Sequence, residues 1–164
     1  MASTGSTITR SAIAIECRLA AGAEDLDAHF DLRRAVFVRE QRLFAVDDRD
    51  EWDSRSETLH AVGFVDGLAC GAVRLYPLGG AADGQWKGDR LAVMPDHRAN
   101  HLGAALVRFA VGTGGRLGGR QMIAHVQLPN VRFFEHLGWR REGAPAPFHG
   151  VDHQLMSIAL GRGA

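Results

Sequence analysis

Lysine is nearly missing from this chain: among 164 residues only Lys87 is one, and arginine supplies the rest of the 19 basic side chains. We draw no function from that bias. Acidic residues also number 19, so no global field would draw the protein to nucleic acid or an anionic membrane surface. Any polyanion it binds must be held locally. The two cysteines, Cys17 and Cys70, are too few for a disulfide framework. Both sit in apolar strand-like runs as small buried hydrophobes, and a reducing cytoplasm is the expected compartment. No apolar run approaches the ~18 residues of a membrane span. Residues 1–10, rich in Ser and Thr, lack a basic region followed by an apolar stretch. They read as a frayed N-terminus rather than a secretory signal. The glycine runs Gly79-Gly80 and Gly112 to Gly119 contain no G-x-G-x-x-G after a strand, which excludes a dinucleotide or ATP fingerprint.

What is present is an ordinary globular composition, 46% hydrophobic and 23% charged, enough for one domain over residues 11–164. Ala12 to Leu19 alternates as a first strand. Asp25 opens a helix whose stripe of Leu26, Phe30, Ala35, Val36 and Phe37 runs through Gln41. Val46 to Glu57 is an acidic loop. Leu59 to Val65 and Leu68 to Tyr76 form strands joined at Asp66-Gly67, a hairpin signal because both residues tolerate positive φ. Trp86 to Met94 is the next strand, and a helix runs from about His101 to Leu117. Gly112, Gly114 and Gly115 weaken that helix by ~1 kcal/mol each, so it either ends early or uses them for close packing. Met122 to Gln127 is a strand, Asn130 to Leu137 a short helix, and Trp139 to Phe148 with His153 to Leu160 a final strand pair. The order β-α-β-β-β-α-β-α-β-β, a meander followed by a βαβ crossover, predicts a mixed α/β fold. Its central sheet of about seven strands is flanked by helices.

The most informative stretch is R-L-A-V-M-P-D-H-R-A-N-H-L-G-A-A-L, Arg90 to Leu106. Its strand stops at Pro95, a tight basic loop passes through Arg98 and Asn100, and apolar helix positions begin at Leu102. A strand feeding such a loop into a helix N-terminus builds an anion site, because the first helical N–H groups lack partners and the macrodipole favours negative charge.

The spacing Arg98-x-x-His101-x-Gly103 resembles the R/Q-x-x-G-x-G/A signature with which GNAT acyltransferases wrap the pyrophosphate of acyl-coenzyme A. Leu32 to Gln41, L-R-R-A-V-F-V-R-E-Q, resembles the opening of ElaA-type members, as does the acidic run followed by His60. Phe133 to Trp139 resembles F-Y-x-x-x-G-F, and Gly150 to Met156 resembles G-x-x-H-x-x-M. Four positions depart from the pattern. His101 stands where the signature has its first Gly, and Phe134 where a Tyr often serves as general acid. Gln127 and Asn130 stand where N-x-x-A is common.

The resemblance implies a GNAT fold with a splayed sheet, and transfer of acetyl from acetyl-CoA to a small amine by direct attack. It assigns the pantetheine to the backbone of Leu91, Ala92 and Val93, one of which would donate to the thioester oxygen. It assigns the pyrophosphate to Arg98, Ala99, Asn100, His101, Leu102, Gly103 and Ala104. Gln127, Asn130, Phe133 and Phe134 would flank the other side. Candidates for the base are Glu40, His125 and His153, with Glu40 and His153 preferred because they lie in matched motifs. Asp48, Asp50 and Asp53 read as a solvated loop or as an attraction for a cationic amine. His97 and His101, four apart, have a zinc-chelating spacing but no third ligand in register, so no metal is expected. Within the same fold, the alternatives are an acyl-homoserine-lactone synthase-like enzyme, which needs an S-adenosylmethionine pocket, and a coenzyme A-binding module without catalysis. A homodimer is expected.

Overall fold

A computed structural model describes residues 12–79 and 83–161; the fraying expected of residues 1–10 lies outside the described residues. Strand β1 (Ile15–Leu19) leads to helix α1 (Ala23–Arg33), which continues without a break as a π-helix over Arg34–Glu40. Then come β2 (Leu59–Val65), β3 (Leu68–Pro77), β4 (Gln85–Val93), α2 (Leu102–Arg116), β5 (Gln121–Gln127) and α3 (Val131–His136). Short β6 (Arg140–Arg141) and β7 (Ala146–Phe148) precede β8 (Val151–Ala159). The sheet runs β1-β2-β3-β4-β5-β8-β6, with β7 also paired to β8. It is the mixed sheet expected. The predicted strand from Trp139 to Phe148 is divided in two, because Gly143 takes φ 70° and Pro145 and Pro147 cannot donate to a ladder. Both halves lean on β8, so the sheet holds eight strands.

Asp66 (φ 49°) and Gly67 (φ 84°) make the β2–β3 turn, the left-handed pair whose twist suits a two-residue hairpin. Two layers cover the sheet. On one face α2 lays Leu102 and Leu106, both fully buried, against Leu75, Met122 and Met156. On the other, Leu32 of α1 meets Val62, Phe64 and Ala72. A side chain at Gly63 or Gly71 would sit 2.7 Å from Leu102 Cδ1 or 2.8 Å from Leu106 Cδ1, so this cross-strand glycine pair is what lets α2 approach closely. The α2 glycines serve the same end. The helix persists to Arg116, with Gly115 against the backbone of Gly161 and Gly114 against Met122. Close packing offsets their poor propensity.

Two irregularities position the site. Strands β4 and β5 are parallel neighbours over only three pairs, Gln85–Gln121, Trp86–Met122 and Lys87–Ile123. Beyond them each bonds only to its outer neighbour, β4 to β3 and β5 to β8. In β4 the register against β3 slips between Ala72 and Arg74, opposite Arg90 at φ 53°. That is a β-bulge, a device that re-aims backbone groups.

Candidate active site

Where β4 and β5 part, a cleft opens to solvent. Val107 and Ala110 of α2, Ala124 and Val126 of β5, Asn130, Phe134 and Trp139 line one side. Phe37, Gln41, Phe44, Lys87, Asp89, Arg90, His125, Phe148, His149 and His153 line the other. The π-helical end of α1 belongs to this second wall. Its wider turn ends in the Gln41 N–H bond to Val36 O, 2.8 Å, and such turns recur at functional sites.

Past the cleft's edge at Leu91, the chain leaves β4 through a 3₁₀ turn over Pro95–Asn100 and enters α2 at His101, φ 62° and ψ 13°. This left-handed cap accounts for the glycine in the resembled signature, since only glycine adopts it without strain. The first helical bond is Ala105 N–H to His101 O, 3.1 Å, which leaves the N–H groups of Leu102, Gly103 and Ala104 without helical partners. Gly103 faces Phe133 Cζ and Val93 Cγ2, which would lie 3.6 and 3.8 Å from an added Cβ. Arg98 is exposed, donates through Nε to Val93 O (3.1 Å), and places Nη2 2.7 Å from the Glu40 carboxylate. Phosphate oxygens arriving at this helix end would find Arg98 within reach and Glu40 as its present partner.

On the α1 face, alternation along β4 and β5 sets Lys87, Asp89 and His125 on one side. His125 stacks on Phe148, with centroids 4.1 Å apart and planes at 11°. Burial first, then the Lys87 and His153 charges, hold its pKa below the ordinary 6.5, against a pull from Asp89. At neutral pH it is an uncharged acceptor of protons. His153 is buried and its Nδ1 lies 2.7 Å from Val151 O. That bond requires Nδ1 to carry the proton, so Nε2 is left as the acceptor in the neutral ring. Burial likewise lowers the pKa of Lys87.

Beneath this face lies a network that sequence reading missed. Arg33, fully buried, donates to Asp48 Oδ2 (2.8 Å) and to both oxygens of Asp53 (2.7 and 3.0 Å). Arg74, also fully buried, grips Asp89 through Nε (2.7 Å) and Nη2 (2.6 Å) and reaches Asp50 at 2.6 Å. Arg90 holds Asp48 (3.1 Å) and Asp50 (3.3 Å). The carboxylates of Asp48, Asp50 and Asp53 are therefore engaged by arginines rather than free to attract a cation. Asp48 is buried and Asp50 and Asp53 are taken up by arginines from α1, β3 and β4. Those partners lie at sequence separations of 15 to 42 residues, where no local pattern shows them.

His29 completes the network. Its Nδ1 lies 2.9 Å from Ala61 O and its Nε2 3.2 Å from Arg33 Nη1. Arg33 can only donate, so the ring is neutral with the proton on Nδ1. Desolvation chiefly, helped by Arg33 and His60, drives its pKa down from 6.5 to about 3. Below pH 6.5 the unfolded chain takes up a proton that the native His29 refuses, so stability must fall as pH drops toward 3. Above about pH 5 the carboxylates are largely ionised in both states, so histidines dominate the upper part of the window and carboxylates such as Asp53, held low by its partners, add to the loss below it. Urea unfolding between pH 6.5 and 4.5 is expected to show a loss of about 2–3 kcal/mol. His29→Gln, whose amide can donate to Ala61 and accept from Arg33, should flatten that slope; an unchanged slope would place its origin elsewhere.

The sequence-predicted residues are thus distributed along the cleft and its rim. Leu91, Gln127, Asn130 and Phe134 line it, and Gln127 Nε2 donates to Gln41 Oε1 across its mouth (3.0 Å). Phe133 stands exposed over Gly103, whereas Phe134 packs edge-on to Trp139, 5.3 Å between centroids. His125 and His153 lie in the cleft, and Glu40 sits on Arg98 at the rim. Lys87, Arg90, His149 and Trp139 were missed. Trp139 is 5% exposed and its indole N–H has no hydrogen-bond partner among the described residues. A buried unpaired donor on a cleft wall suits a ligand carbonyl. No group of three or more His, Cys, Asp or Glu among the described residues is placed to hold a metal, and no helix there is long and apolar enough to cross a membrane.

Residues 26–139 match the model of the acetyltransferase (GNAT) family. A Bacillus subtilis protein described as an acetyltransferase is 27% identical over 135 residues, 82% of this chain and 89% of that one. The crystal structure of a protein described as an N-acetyltransferase from Lactobacillus plantarum superposes with a TM-score of 0.77 at 25% identity, covering 90% of this chain and 99% of its own. Escherichia coli ElaA shares the fold at TM-score 0.73 and 20% identity, over 88% and 98% of the two chains. With the family match spanning most of the sheet and the parted strands at its centre, this chain belongs to the GNAT family and is an acyl-CoA-dependent N-acyltransferase.

Proposed function

We propose that residues 11–164 form one acyltransferase domain that moves an acetyl group from acetyl-CoA to a small-molecule amine by direct attack. The observation that supports it best is the parting of β4 and β5. The strand that edges the cleft at Leu91 runs on to the α2 start, whose first N–H groups lack helical partners, and the far face presents His125, with no Cys, Ser or Thr among the described lining residues. Cys70 is buried on β3, with its pKa raised by desolvation, and does not line the cleft.

In this reading the N–H groups of Arg98, Ala99, Asn100, His101, Leu102, Gly103 and Ala104 bind the pyrophosphate, and the Arg98 guanidinium turns from Glu40 toward it. The backbone of Leu91, Ala92 and Val93, exposed beyond the bulge, pairs with the pantetheine and stabilises the oxyanion. Gln127, Asn130, Phe133 and Phe134 wall the other side, and the Trp139 indole donates to an amide carbonyl of the arm. The amine nitrogen attacks the thioester carbon. A C–N bond forms, the C–S bond breaks, and its electron pair leaves on the coenzyme A sulfur. The nitrogen's proton passes to His125. Phe134 offers no acid, but a thiolate leaves without one. His153 faces the same space, while Glu40 is held at the rim by Arg98, so His125 is the preferred base of the three. The protein would work in the cytoplasm as a homodimer, the latter checked by light scattering.

Calorimetric titration with acetyl-CoA tests the first step. Micromolar saturable binding is expected. Gly103→Glu, which sets a carboxylate at the helix start without filling packed space, should raise Kd at least about tenfold. Arg98→Ala should weaken it by about tenfold, since its new bonds replace one already made to Glu40. Absence of wild-type binding would overturn the assignment of the loop.

A further inference from the structure

Among the described residues lining the cleft, Lys87 is the one permanent cation with no carboxylate in ion-pair contact, although Asp89 acts on it at longer range. It is the last residue of β4 paired to β5, so its side chain stands at the apex of the parting. It is partly buried, with Nζ 5.1 Å over the Phe148 ring, and no carboxylate of the described residues lies within ion-pair distance. The other permanent cation there, Arg90, is 8% exposed at its side chain and engaged by Asp48 and Asp50. Asp89, the one carboxylate among the described lining residues, is gripped bidentately by Arg74. His125, His149 and His153 add no negative charge.

From this juxtaposition we propose that the acceptor is an amine bearing a carboxylate, and that Lys87 receives the carboxylate at the apex of the cleft. The inference rests on the acyl-transfer reading above. A partly desolvated ammonium gains more from an incoming carboxylate than an exposed one does, because water has already been removed from it. The same field opposes a polycationic acceptor. Lys87 is not placed for the coenzyme's pyrophosphate. Six residues of extended strand, about 20 Å, separate it from Val93 and the α2 start. Asp48, Asp50 and Asp53 of the acidic loop offer the acceptor no free carboxylate, since Arg33, Arg74 and Arg90 hold them.

The test is thiol release from acetyl-CoA with matched amines, each an α- or ω-amino acid compared with its own carboxamide. Wild-type protein should favour the acid in kcat/KM by about tenfold or more for the best pair. Lys87→Met should bring that ratio to within about threefold, and Lys87→Arg should restore it. Titration of Lys87→Met with acetyl-CoA reports that the variant is folded. A wild-type preference for the carboxamide, or an acid preference that survives Lys87→Met, would overturn this inference and leave acyl transfer standing. Thiol release with neither member of any pair would instead bring down the acyl-transfer reading, and this one with it.

Discussion

Arg74→Met is expected to cost about 3–5 kcal/mol of folding stability, the range for removing one partner from a buried ion pair. That is a large share of the 5–15 kcal/mol typical of a whole domain. The guanidinium is fully buried and meets three carboxylates: Asp89 in a fork, Asp50 at 2.6 Å and Asp53 at 3.1 Å. Methionine fills a similar volume but leaves these anions without a cation in a region Asp48 and Arg33 already crowd. Asp50, 35% exposed at its side chain, can turn to water; Asp89 and Asp53 cannot do so cheaply, at 13% and 6%. Urea unfolding at pH 7 reads the loss. Asp50→Asn should cost far less, because one accepting oxygen survives and Arg90 keeps Asp48. A loss below about 1 kcal/mol for Arg74→Met would show the network to behave like a surface pair.

The order of elements was legible because each rests on a local signal. Alternation marks β2 and β3, Asp66-Gly67 marks their turn, and the apolar spacing from Leu102 marks α2. The ion network was not legible, because Asp48 looks the same in sequence whether it faces water or Arg33. The π-helical close of α1 escaped for a related reason. Val36 and Phe37 fit an α-helical stripe, and the wider turn appears only where Gln41 bonds back to Val36. The bulge at Arg90 has no glycine to announce it, although φ is 53° there. Arg90 is held there by Asp48 and Asp50, 42 and 40 residues away in sequence.

For the candidate site, the helix start was readable from Pro95, Arg98 and Gly103, whose residue types carry their conformational reasons with them. His101 stands at a position that demands positive φ, and histidine adopts it with its side chain exposed. The acceptor face was harder. Lys87, His125 and Phe148 are separated by 38 and 23 residues, and only the parallel register of β4 with β5 and the turn before β8 bring them together. Motif matching favoured Glu40 and His153, which lie within matched segments, over His125, which does not.

His125→Gln is expected to lower kcat by about 10²–10⁴, the usual worth of a positioned general base. Its neighbours set the pH at which it works. Burial, Lys87, His153 and His149 all press its pKa below 6.5, and Asp89 alone pulls upward. With both substrates saturating, the enzyme's acid limb should therefore fall below pH 6.5, with the base fully competent at neutrality. Glutamine accepts no proton, so the variant should lose that limb and retain only the one set by the amine. The rival explanation is that His125 merely stacks on Phe148. An aromatic pair is worth about 0.5–1.5 kcal/mol, at most roughly tenfold in rate, and its loss would leave the limb where it was. Lys87→Met separates the two by a second route. Removing that charge lets the His125 pKa rise, so the limb should move to higher pH if His125 carries it and stay fixed if it does not. Should His153→Gln instead abolish the limb while His125→Gln spares it, the proton goes to Nε2 of His153, the acceptor left free by the bond to Val151 O.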